Sequence, residues 1–435
     1  MDLALHVRQA AEAARAAARL LASTSGEARN AALEAMACAL EAEAAGILSA
    51  NAEDHASASA AAGLSAASLN RLKLDAGKLA EMVAGVRAVA ALPDPLGRVR
   101  LHRRLDEGLD LIQLTCPLGV LGVVFESRPD ALVQIGALAL KSGNAVLLKG
   151  GAEARRTNAA LAAAIHRGLE AEPAIPVAAL QLLEGREAVE AMLDLNGLVD
   201  LIIPRGSNAL VRHIQSRTKI PVLGHADGIC HIYLDRAADP AMAVALVLDS
   251  KVQYPAACNA VESVLIHAEA APRLLPALVE ALTAAGVELR ACERCRALLP
   301  SLAPATDADW DTEYGDLILS MRIVDDMDAA IAHIHAHGSG HTECIVTDDI
   351  VTAERFLREV DAAGVYHNAS TRFADGYRYG FGAEVGISTG KLHARGPVGL
   401  EGLVTTKYVL RGHGQKVSDY TGAGARRFRH EDLPD

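Results

Sequence analysis

Four short apolar runs in the first half of the chain constrain its fold more than any other feature. They read LGVLGVVFE (118–126), AVLLKG (145–150), ALQLLE (179–184) and VDLIIP (199–204), and helix-length segments separate them. Their apolar residues are continuous instead of alternating, which is typical of strands buried on both faces of a parallel sheet. The pattern predicts an open α/β sheet of the dinucleotide-binding type.

A second series of the same kind begins near residue 225. Its expected strands lie in LGHADGICHIYLD (223–235), ESVLIH (262–267), ECIVTD (343–348) and GVYHNAS (364–370). A chain of 435 residues exceeds one compact core. Two α/β domains that meet near residue 225 are therefore the simplest architecture.

The remaining segments predict helices at the start and exposed strands elsewhere. Residues 1 to about 90 have Ala and Leu at three- and four-residue spacing, with a capping box at Thr24 and Glu27. Residues 98–115 alternate like an exposed hairpin, and residues 403–414 like a late edge strand. Such strands need partners, and pairing between subunits would supply them.

Composition argues against several classes of protein. A net charge of −12 leaves no basic surplus for binding nucleic acid. No apolar stretch approaches the roughly 18 residues of a membrane span, and the N-terminus lacks the pattern of a signal peptide. Seven scattered cysteines, an odd number, favour free thiols in a reducing cytoplasm.

Two glycine-containing turns are candidates for binding a ribose or a phosphate. There is no G-x-G-x-x-G after the first strand, but residues 141–158 place Lys149 and Gly150 at a strand-to-helix turn. Residues 203–214 repeat the arrangement with Gly206 and Ser207. Backbone amides at such turns suit anionic groups, although an ordinary turn or helix cap explains the pattern as well.

Cys258 is the candidate nucleophile. It lies in VQYPAACNAVES (252–263), where a proline turn and small neighbours would let a substrate approach, and Asn259 offers a hydrogen-bond donor. A cysteine becomes a nucleophile when its thiolate is stabilised and accessible. The alternative is a buried structural cysteine, which the residue pattern by itself favours.

Two other groupings suggest metal or redox chemistry. His333 and His337, in AHIHAHGSGHTE (332–343), would share one helical face with a spacing that could hold zinc. Gly338 and Gly340 should end that helix before a third ligand is positioned, so we expect no metal there. CERC (292–295) is a single CxxC without a second pair, and we expect it to be a surface coincidence.

Long motifs spread over nearly the whole chain carry a family resemblance. They are YPAACNAVES (254–263), HIHAHGSGHTECI (333–345), LGHADGICHIYLD (223–235), NASTRFADG (368–376) and FGAEVGISTGKLHARGPVGL (381–400). Together they resemble the gamma-glutamyl phosphate reductases of the aldehyde dehydrogenase superfamily, which act in proline biosynthesis. The resemblance implies that Cys258 is the nucleophile.

The resemblance also implies a fold and a domain organisation. The fold is aldehyde dehydrogenase-like α/β, with two Rossmann-like α/β domains and a β-hairpin oligomerisation element. Residues 1–100 and 117–226 would form an NADP-binding domain, and residues 227–400 the catalytic domain. Residues 101–116 and 401–420 would be oligomerisation strands that join subunits.

NADP(H) is the cofactor that the resemblance implies, and the family binds it without G-x-G-x-x-G. Lys149, followed by Gly150, matches the lysine that contacts the adenosine ribose. Ala152 stands where NAD-preferring relatives often have a glutamate, which would repel a ribose 2′-phosphate. With Arg155 and Arg156 nearby, this is compatible with NADP, although a carboxylate follows at position 153.

Further cofactor contacts follow from the same resemblance. Gly206 and Ser207 occupy the place of the superfamily's glycine-serine turn and should approach the cofactor. Glu313, in TEYGD (312–316), resembles the glutamate that holds the nicotinamide ribose.

Two departures from the broader superfamily bear on the reaction. VLGHADG (222–228) has no glutamate at Val222 or beside it to activate water, so a thioester should survive until phosphate or hydride reaches it. In VFESRPD (124–130), Ser127 beside Arg128 replaces the asparagine that usually holds the oxyanion. The oxyanion is then expected on the Cys258 backbone N–H and another side chain, for which Asn259 is the candidate.

The implied activity is the NADPH-dependent reduction of L-glutamyl 5-phosphate to L-glutamate 5-semialdehyde and phosphate, through a thioester on Cys258. The substrate is anionic at both ends, which requires cationic side chains in the pocket. The candidates are Arg128, Arg372, Lys391 and Arg395, each of which could equally form an ordinary ion pair. His225 and His341 could donate protons or be structural.

Two alternatives remain from the residues. A CoA-acylating aldehyde dehydrogenase would share the cysteine and lack the glutamate base, and a zinc-dependent dehydrogenase or metal-binding protein would use the histidines. The family reading requires no metal. It implies a cytoplasmic homo-oligomer, a dimer through paired hairpins or a tetramer, and the instability of an acyl phosphate makes association with glutamate kinase plausible.

Overall fold

The computed structural model describes residues 3–61, 66–225 and 227–434. The α/β class predicted from the apolar runs is confirmed, with parallel sheets that helices cover and a separate antiparallel sheet. Within the described ranges, no helix has the length and apolar character needed to cross a membrane.

Helices form the N-terminal part of the chain and pack against the first parallel sheet. They are α1 (Leu3–Leu21), α2 (Gly26–Ala42), α3 (Ala44–Ala60), α4 (Ala66–Leu72) and α5 (Ala76–Ala91). The prediction that Thr24 caps α2 is wrong by one residue. Ser25 accepts the Ala28 N–H at 3.2 Å, whereas the Thr24 hydroxyl donates back to the Leu20 carbonyl of α1.

A hairpin follows these helices, formed by β1 (Val99–Asp106) and β2 (Leu109–Pro117). The hairpin predicted over residues 98–115 is therefore present, but most of its residues are half-buried instead of exposed.

The first parallel sheet contains the four predicted runs. Its strands and helices are β3 (Val120–Phe125), α6 (Pro129–Lys141), β4 (Ala145–Gly150), α7 (Arg155–Glu170), β5 (Leu180–Leu182), α8 (Glu187–Leu193), β6 (Leu201–Arg205) and α9 (Asn208–Arg217). The strand order is β5-β4-β3-β6. The chain therefore moves outward from β3 on one side and returns to its other side, which creates a crevice at the carboxyl ends of β3 and β6.

The second parallel sheet has the order β10-β9-β11-β8-β7-β12-β13. Its elements are β7 (Cys230–Leu234), α10 (Pro240–Val252), β8 (Val261–His267), α11 (Ala271–Ala284), β9 (Glu288–Ala291), α12 (Glu293–Leu298), β10 (Ala303–Pro304), α13 (Asp307–Trp310), β11 (Ile318–Val324), α14 (Met327–His337), β12 (Thr342–Val346), α15 (Ile350–Glu359) and β13 (Gly364–His367). The four predicted strands of this region are present, and β9 to β11 are additional.

The last strands complete the other sheets. They are β14 (Gly386–Ser388), β15 (Gly396–Val398), β16 (Val404–Arg411) and β17 (Glu431–Asp432). The first two pair with each other, whereas β16 and β17 extend the hairpin to the antiparallel order β16-β2-β1-β17. The predicted late strand at residues 403–414 is therefore confirmed.

Each parallel sheet has its own apolar core. The core of the first sheet also includes side chains from late in the chain, namely Val385, Val398, Leu400 and Leu403. Two apolar clusters pack against the second sheet, one from residues between Ile232 and Val346 and the other from residues between Tyr233 and Val360. The first core is thus assembled from both ends of the sequence.

Candidate active site

A cavity of about 650 Å³ lies at the carboxyl ends of β3 and β6 and reaches the loop that contains Cys258. Residues 126–128, which follow β3, and residues 206–208, which follow β6, line one side of it. Residues 256–259 and Arg372 line the other. This is the position at which open α/β sheets bind ligands, because the strand order reverses there.

Cys258 is held in a tight turn between α10 and β8. The Ala257 N–H donates to the Tyr254 carbonyl at 3.2 Å, and the Ala260 N–H donates to Ala257 at 2.9 Å. Gly228 packs against this turn so closely that a Cβ there would lie 2.2 Å from the Cys258 carbonyl oxygen. The half-buried thiol therefore depends on a glycine in the opposite loop.

Two histidines flank the Cys258 thiol. The Cys258 sulfur and one ligand nitrogen from each of His225 and His341 lie within 4.8 Å of one another. The His225 ring is oriented by its Nδ1–H, which donates to the Ile387 carbonyl at 2.8 Å. The sequence suggested each histidine separately but gave no sign that they meet at the cysteine.

This arrangement favours a thiolate. Burial opposes ionisation of Cys258, but the charge of His341 and hydrogen bonds from both rings hold the pKa of the thiol well below its ordinary value. Burial also opposes protonation of His225, yet its interaction with Cys258 raises the pKa of the imidazole to about 9. A thiolate beside a protonated imidazole is the reactive form of a catalytic cysteine.

Cys230 is a second thiol that contacts both Cys258 and His341, but it ionises less readily than Cys258. Its Sγ donates to the Cys258 carbonyl at 3.3 Å and lies 3.7 Å from His341 Nδ1. Burial raises the pKa of Cys230 well above its ordinary value. The site therefore contains two neighbouring thiols, of which only Cys258 is readily ionised.

Asn259 lines the cavity, but its side chain is largely committed to the protein. Its Nδ2 donates to the Ala374 carbonyl at 2.8 Å, and the side chain is buried. Its Oδ1 has no hydrogen-bond partner in the described part of the chain.

Arginines give the cavity a cationic wall in an otherwise acidic protein. Arg128 and Arg372, both expected from the sequence, line it. Arg372 donates to Gln253 at 2.9 Å and lies 5.9 Å from the centre of the Tyr254 ring. Three more arginines line the cavity and were not identified from the sequence, namely Arg71, Arg205 and Arg378. Arg205 ends β6, and its place at the carboxyl edge of a parallel strand is the signal that could have identified it; Arg378 follows the NASTRFADG motif.

Lys391 and Arg395 do not line this cavity. Both pair with Asp361, Arg395 at 2.8 Å. Arg395 instead borders a separate apolar cavity with Leu92 and Phe381. Of the four basic residues predicted to bind the substrate, Arg128 and Arg372 therefore line the cavity that contains Cys258, whereas the other two do not.

Acidic residues complete the lining. Glu313 accepts a hydrogen bond from Asn208 Nδ2 at 2.9 Å, and it lies in the same cavity as Cys258. Glu384 accepts the Gly376 N–H at 2.9 Å, and burial raises the pKa of its carboxyl. Glu384 was not identified from the sequence.

A second cavity, of about 940 Å³, lies at the carboxyl ends of β4 and β5. It shares Glu126 and Glu153 with the first cavity, so the two adjoin. Lys149 and Gly150 line it, together with Arg155. The Lys149 ammonium donates to the Gly150 carbonyl at 2.8 Å, and burial lowers its pKa.

The basic residues near this second cavity differ from those expected. Arg156 faces away, because it pairs with Glu53 and Asp54, each at 3.2 Å. Arg186, which follows β5, lines the cavity instead. The helical period explains this difference: consecutive residues such as 155 and 156 point in different directions.

Glu153 lines the first cavity, where it contacts Ser127. Its carboxylate accepts both the N–H of Ser127 at 2.6 Å and the Ser127 hydroxyl at 2.9 Å. Ser127 has a left-handed backbone with φ of 47°. A non-glycine residue in this conformation is strained, and such residues concentrate at functional sites.

Gly206 and Ser207 join β6 to α9 and line the first cavity. Ser207 caps α9 by accepting the Leu210 N–H at 3.4 Å, as the alternative interpretation predicted. Its own N–H donates to Glu126 at 2.8 Å. A Cβ on Gly206 would lie 2.5 Å from this carboxylate, so a larger residue there would have to displace the Glu126 side chain.

The histidine pair predicted as a zinc candidate lies in α14 and does not line the cavity that contains Cys258. His337 Nδ1 contacts Asp311 at 2.8 Å, and the His333 ring packs edge-on against Trp310. Among the described residues, the three side chains placed to share a metal ion are instead His225, Cys258 and His341.

Comparison with known proteins places these features in context. The aldehyde dehydrogenase family model matches residues 3–290. The gamma-glutamyl phosphate reductase of Synechococcus sp. (strain JA-3-3Ab) is 63% identical over 422 residues, which are 96% of this chain and 93% of that protein. The enzyme of the same name from Cyanothece sp. (strain PCC 7425) is 58% identical over 429 residues, 99% of this chain and 98% of its own. The crystal structure of gamma-glutamyl phosphate reductase from Thermotoga maritima superposes with a TM-score of 0.92 at 39% identity, covering 94% of this chain and 99% of that one.

Proposed function

The chain belongs to the gamma-glutamyl phosphate reductases of the aldehyde dehydrogenase family, and from this premise we propose that it reduces L-glutamyl 5-phosphate to L-glutamate 5-semialdehyde with NADPH. The reaction would proceed through a thioester on Cys258 and release inorganic phosphate. The observation that carries the proposal is the thiolate-favouring group of Cys258, His225 and His341 in a cavity lined by arginines.

The cationic wall supports an acyl phosphate as the substrate. Arg128, Arg205, Arg372 and Arg378 all line the cavity that contains Cys258. A substrate with a phosphate at one end and an α-carboxylate at the other needs two such anchors, and guanidinium groups bind either anion through paired hydrogen bonds. Lys391 and Arg395 are committed to Asp361 and have no part in this proposal.

The first chemical step would be attack on the acyl carbon. The Cys258 sulfur forms a bond to the γ-carbon of the substrate, and the C–O bond to phosphate breaks with its electron pair leaving on the phosphate. The two histidines stabilise the thiolate before attack. Formation of the thioester therefore divides one hard displacement into two easier steps.

The backbone N–H of Cys258 is available to the oxyanion that forms in this step. No acceptor in the described part of the chain takes that N–H. The Nδ2 of Asn259 has a second hydrogen beyond the one donated to Ala374. We assign the oxyanion to these two donors, since preorganised donors stabilise charge as it develops.

The second cavity fits a dinucleotide cofactor. We propose that Lys149 and Gly150 contact its adenosine ribose and that Gly206 and Ser207 approach its phosphates, with Glu313 holding the nicotinamide ribose beside Cys258. Arg155 and Arg186 would bind the 2′-phosphate that distinguishes NADP from NAD. When bound, the reduced cofactor supplies a hydride to the thioester carbon.

Collapse of the resulting thiohemiacetal regenerates the thiolate and frees the aldehyde. Hydrolysis of the thioester would compete with this route, but the segment from Val222 to Gly228 has no glutamate to activate water.

The setting of the enzyme follows from its chemistry. An acyl phosphate hydrolyses readily, so we propose that the chain works close to the ATP-dependent kinase that makes it, glutamate kinase. The seven cysteines are free thiols, which fits a reducing cytoplasm. We also propose that residues 101–116 and 401–420 join subunits into a homo-oligomer, with residues 1–100 and 117–226 as the cofactor domain and 227–400 as the catalytic domain.

The test is the reverse reaction, followed at about 340 nm as reduction of NADP by glutamate 5-semialdehyde. We expect activity only when phosphate is present, and its loss in Cys258→Ala. Activity without phosphate would mean that water resolves the thioester, and activity that requires CoA would indicate an acylating aldehyde dehydrogenase. Full activity in Cys258→Ala would remove the thioester from the mechanism.

A further inference from the structure

Outside the cavities, Cys292 and Cys295 of the CERC motif face each other. Their sulfur atoms lie 3.7 Å apart. Cys292, partly exposed, immediately precedes α12, whereas Cys295 is buried one turn further along. The expectation that this CxxC is a surface coincidence does not account for two thiols in contact, one reachable from solvent and one enclosed.

Hydrogen bonds distinguish the two sulfurs. The Cys292 sulfur accepts from the Ile323 N–H of β11 at 3.4 Å and is in hydrogen-bond contact with the Cys295 sulfur. The hydrogen bond with Cys295 is the largest influence on Cys292, and together with backbone N–H groups it outweighs burial and lowers the pKa of Cys292 to about 5. The hydrogen bond with Cys292 and burial raise the pKa of Cys295 far above its ordinary value. The outer sulfur is therefore the nucleophile and the inner sulfur its protonated neighbour.

We propose that Cys292 and Cys295 form a redox-active dithiol that exchanges with low-molecular-weight disulfides, independently of the reaction at Cys258. An accessible thiolate beside a second thiol within reach has the components that thiol–disulfide exchange requires. The exposed Cys38 lacks a comparable neighbour, since its sulfur contacts Glu34 and Arg87.

The exchange balances in two displacements. The Cys292 thiolate attacks one sulfur of a disulfide RSSR, which forms a mixed disulfide and releases RS⁻. Cys295 then gives its proton to solvent and attacks the Cys292 sulfur, which forms the intramolecular disulfide and releases a second RS⁻. The two cysteines are oxidised by two electrons and RSSR is reduced to two thiols. A disulfide sulfur–sulfur bond is about 2.05 Å, so the sulfurs need to approach by less than 2 Å.

The test uses the full-length protein with oxidised glutathione, followed by alkylation of the remaining thiols and mass spectrometry of peptides without reduction. We expect an intramolecular Cys292–Cys295 disulfide that dithiothreitol reverses. Cys295→Ser should stop the exchange at the first step and accumulate a glutathione adduct on Cys292. Cys292→Ser should leave Cys295 reduced, because it is buried and protonated.

Cys38 provides the matched control, since it is an exposed thiol outside any pair. It should give at most a glutathione adduct, and Cys38→Ser should leave the Cys292–Cys295 disulfide unchanged. A stable adduct on Cys292 in the wild type, or no oxidation of either residue while Cys38 reacts, would overturn the proposal. Activity at Cys258 does not enter this readout, so failure of one proposal leaves the other intact.

Discussion

At the scale of single residues, the chemistry depends on a thiolate that its neighbours stabilise. His225 and His341 meet at Cys258, while Arg205 and Arg372 contribute favourable charge and Glu384 and Cys230 oppose it. Neither histidine is adjacent to the cysteine in sequence. The arrangement therefore arises from the meeting of the two sheets.

The ionisation of Cys258 leads to a prediction about alkylation. Because its pKa lies well below the ordinary value, the rate of reaction with iodoacetamide should already be on its plateau at pH 7, as followed on the Cys258 peptide. His341→Gln should move the midpoint upward, towards the roughly 8.5 of a free cysteine. A wild-type midpoint near that of a free cysteine would contradict the assignment.

The ionisation of His225 leads to a prediction about the pH profile. Because His225 holds its proton up to about pH 9, kcat/KM should fall above that pH.

The arginines offer a comparison between positions that the sequence did not distinguish. Arg128 lines the cavity with Cys258, whereas Arg395 pairs with Asp361 outside it. Loss of a charged hydrogen bond costs about 1.5–3 kcal/mol, so Arg128→Gln should raise the KM for phosphate or semialdehyde by roughly 10- to 100-fold. Arg395→Gln should leave both KM values unchanged. Equal effects in the two variants would place substrate recognition elsewhere.

The sequence predicted a residue of the site only where a local sequence pattern marks that residue. Cys258, Lys149 and Gly206 lie in turns that the sequence already marks. Arg205 and Glu384 were missed, since only the sheet topology brings them to Cys258. Arg156 was misplaced because its direction depends on helical phase.

At the scale of elements, a buried ion pair connects α10 with β8 on either side of the Cys258 turn. Lys251 Nζ and Glu262 Oε2 are 2.6 Å apart, and both side chains are fully buried. The other Glu262 oxygen accepts the Gly315 N–H at 3.3 Å, in the loop that carries Glu313. One ion pair therefore fixes both the nucleophile's turn and the neighbouring loop.

Removal of one partner should be costly. Lys251→Met would leave a buried carboxylate uncompensated, which costs about 3–5 kcal/mol and should lower the midpoint of urea denaturation. The double variant Lys251→Met/Glu262→Leu should recover most of that loss. The surface pair of Arg217 with Asp194, at 2.8 Å, is the control, and Arg217→Met should cost less than about 1 kcal/mol. Similar midpoints for Lys251→Met and Arg217→Met would contradict this role.

The helices and strands could be predicted from the sequence better than the contacts between them. Continuous apolar runs identified the strands of the first sheet because burial on both faces leaves a clear pattern. β9, β10 and β11 were missed, and of these β9 and β10 are short and lie at one edge of the second sheet. Cap positions were predicted to within one residue, as Ser25 in place of Thr24 illustrates.

At the scale of the whole molecule, β16 forms one edge of the antiparallel sheet. Within the described residues, only β2 pairs with it, so its other side presents unpaired backbone groups. Tyr408 and Leu410 on this strand are 64% and 57% exposed. An apolar open edge of this kind favours pairing with a second copy of the chain.

The oligomeric state tests that role. We expect the wild type to sediment as a dimer or a larger species, and Tyr408→Glu/Leu410→Glu to sediment as a smaller one, because charge at an edge strand prevents pairing. Ile350→Glu is the control, since Ile350 on α15 is 58% exposed and distant in sequence from the sheet. A monomeric wild type, or a variant of unchanged size, would assign the edge another role.

The first apolar core has a consequence for how the chain is made on the ribosome. Its strands between Val120 and Arg205 emerge early, but Val385, Val398, Leu400 and Leu403 belong to the same core and are synthesised much later. At about 5–20 residues per second, the nascent chain waits many seconds for these side chains. The apolar residues around the second sheet, from Ile232 to Val360, are all synthesised in that interval. The half of the protein that is translated first is therefore the half whose core is completed last.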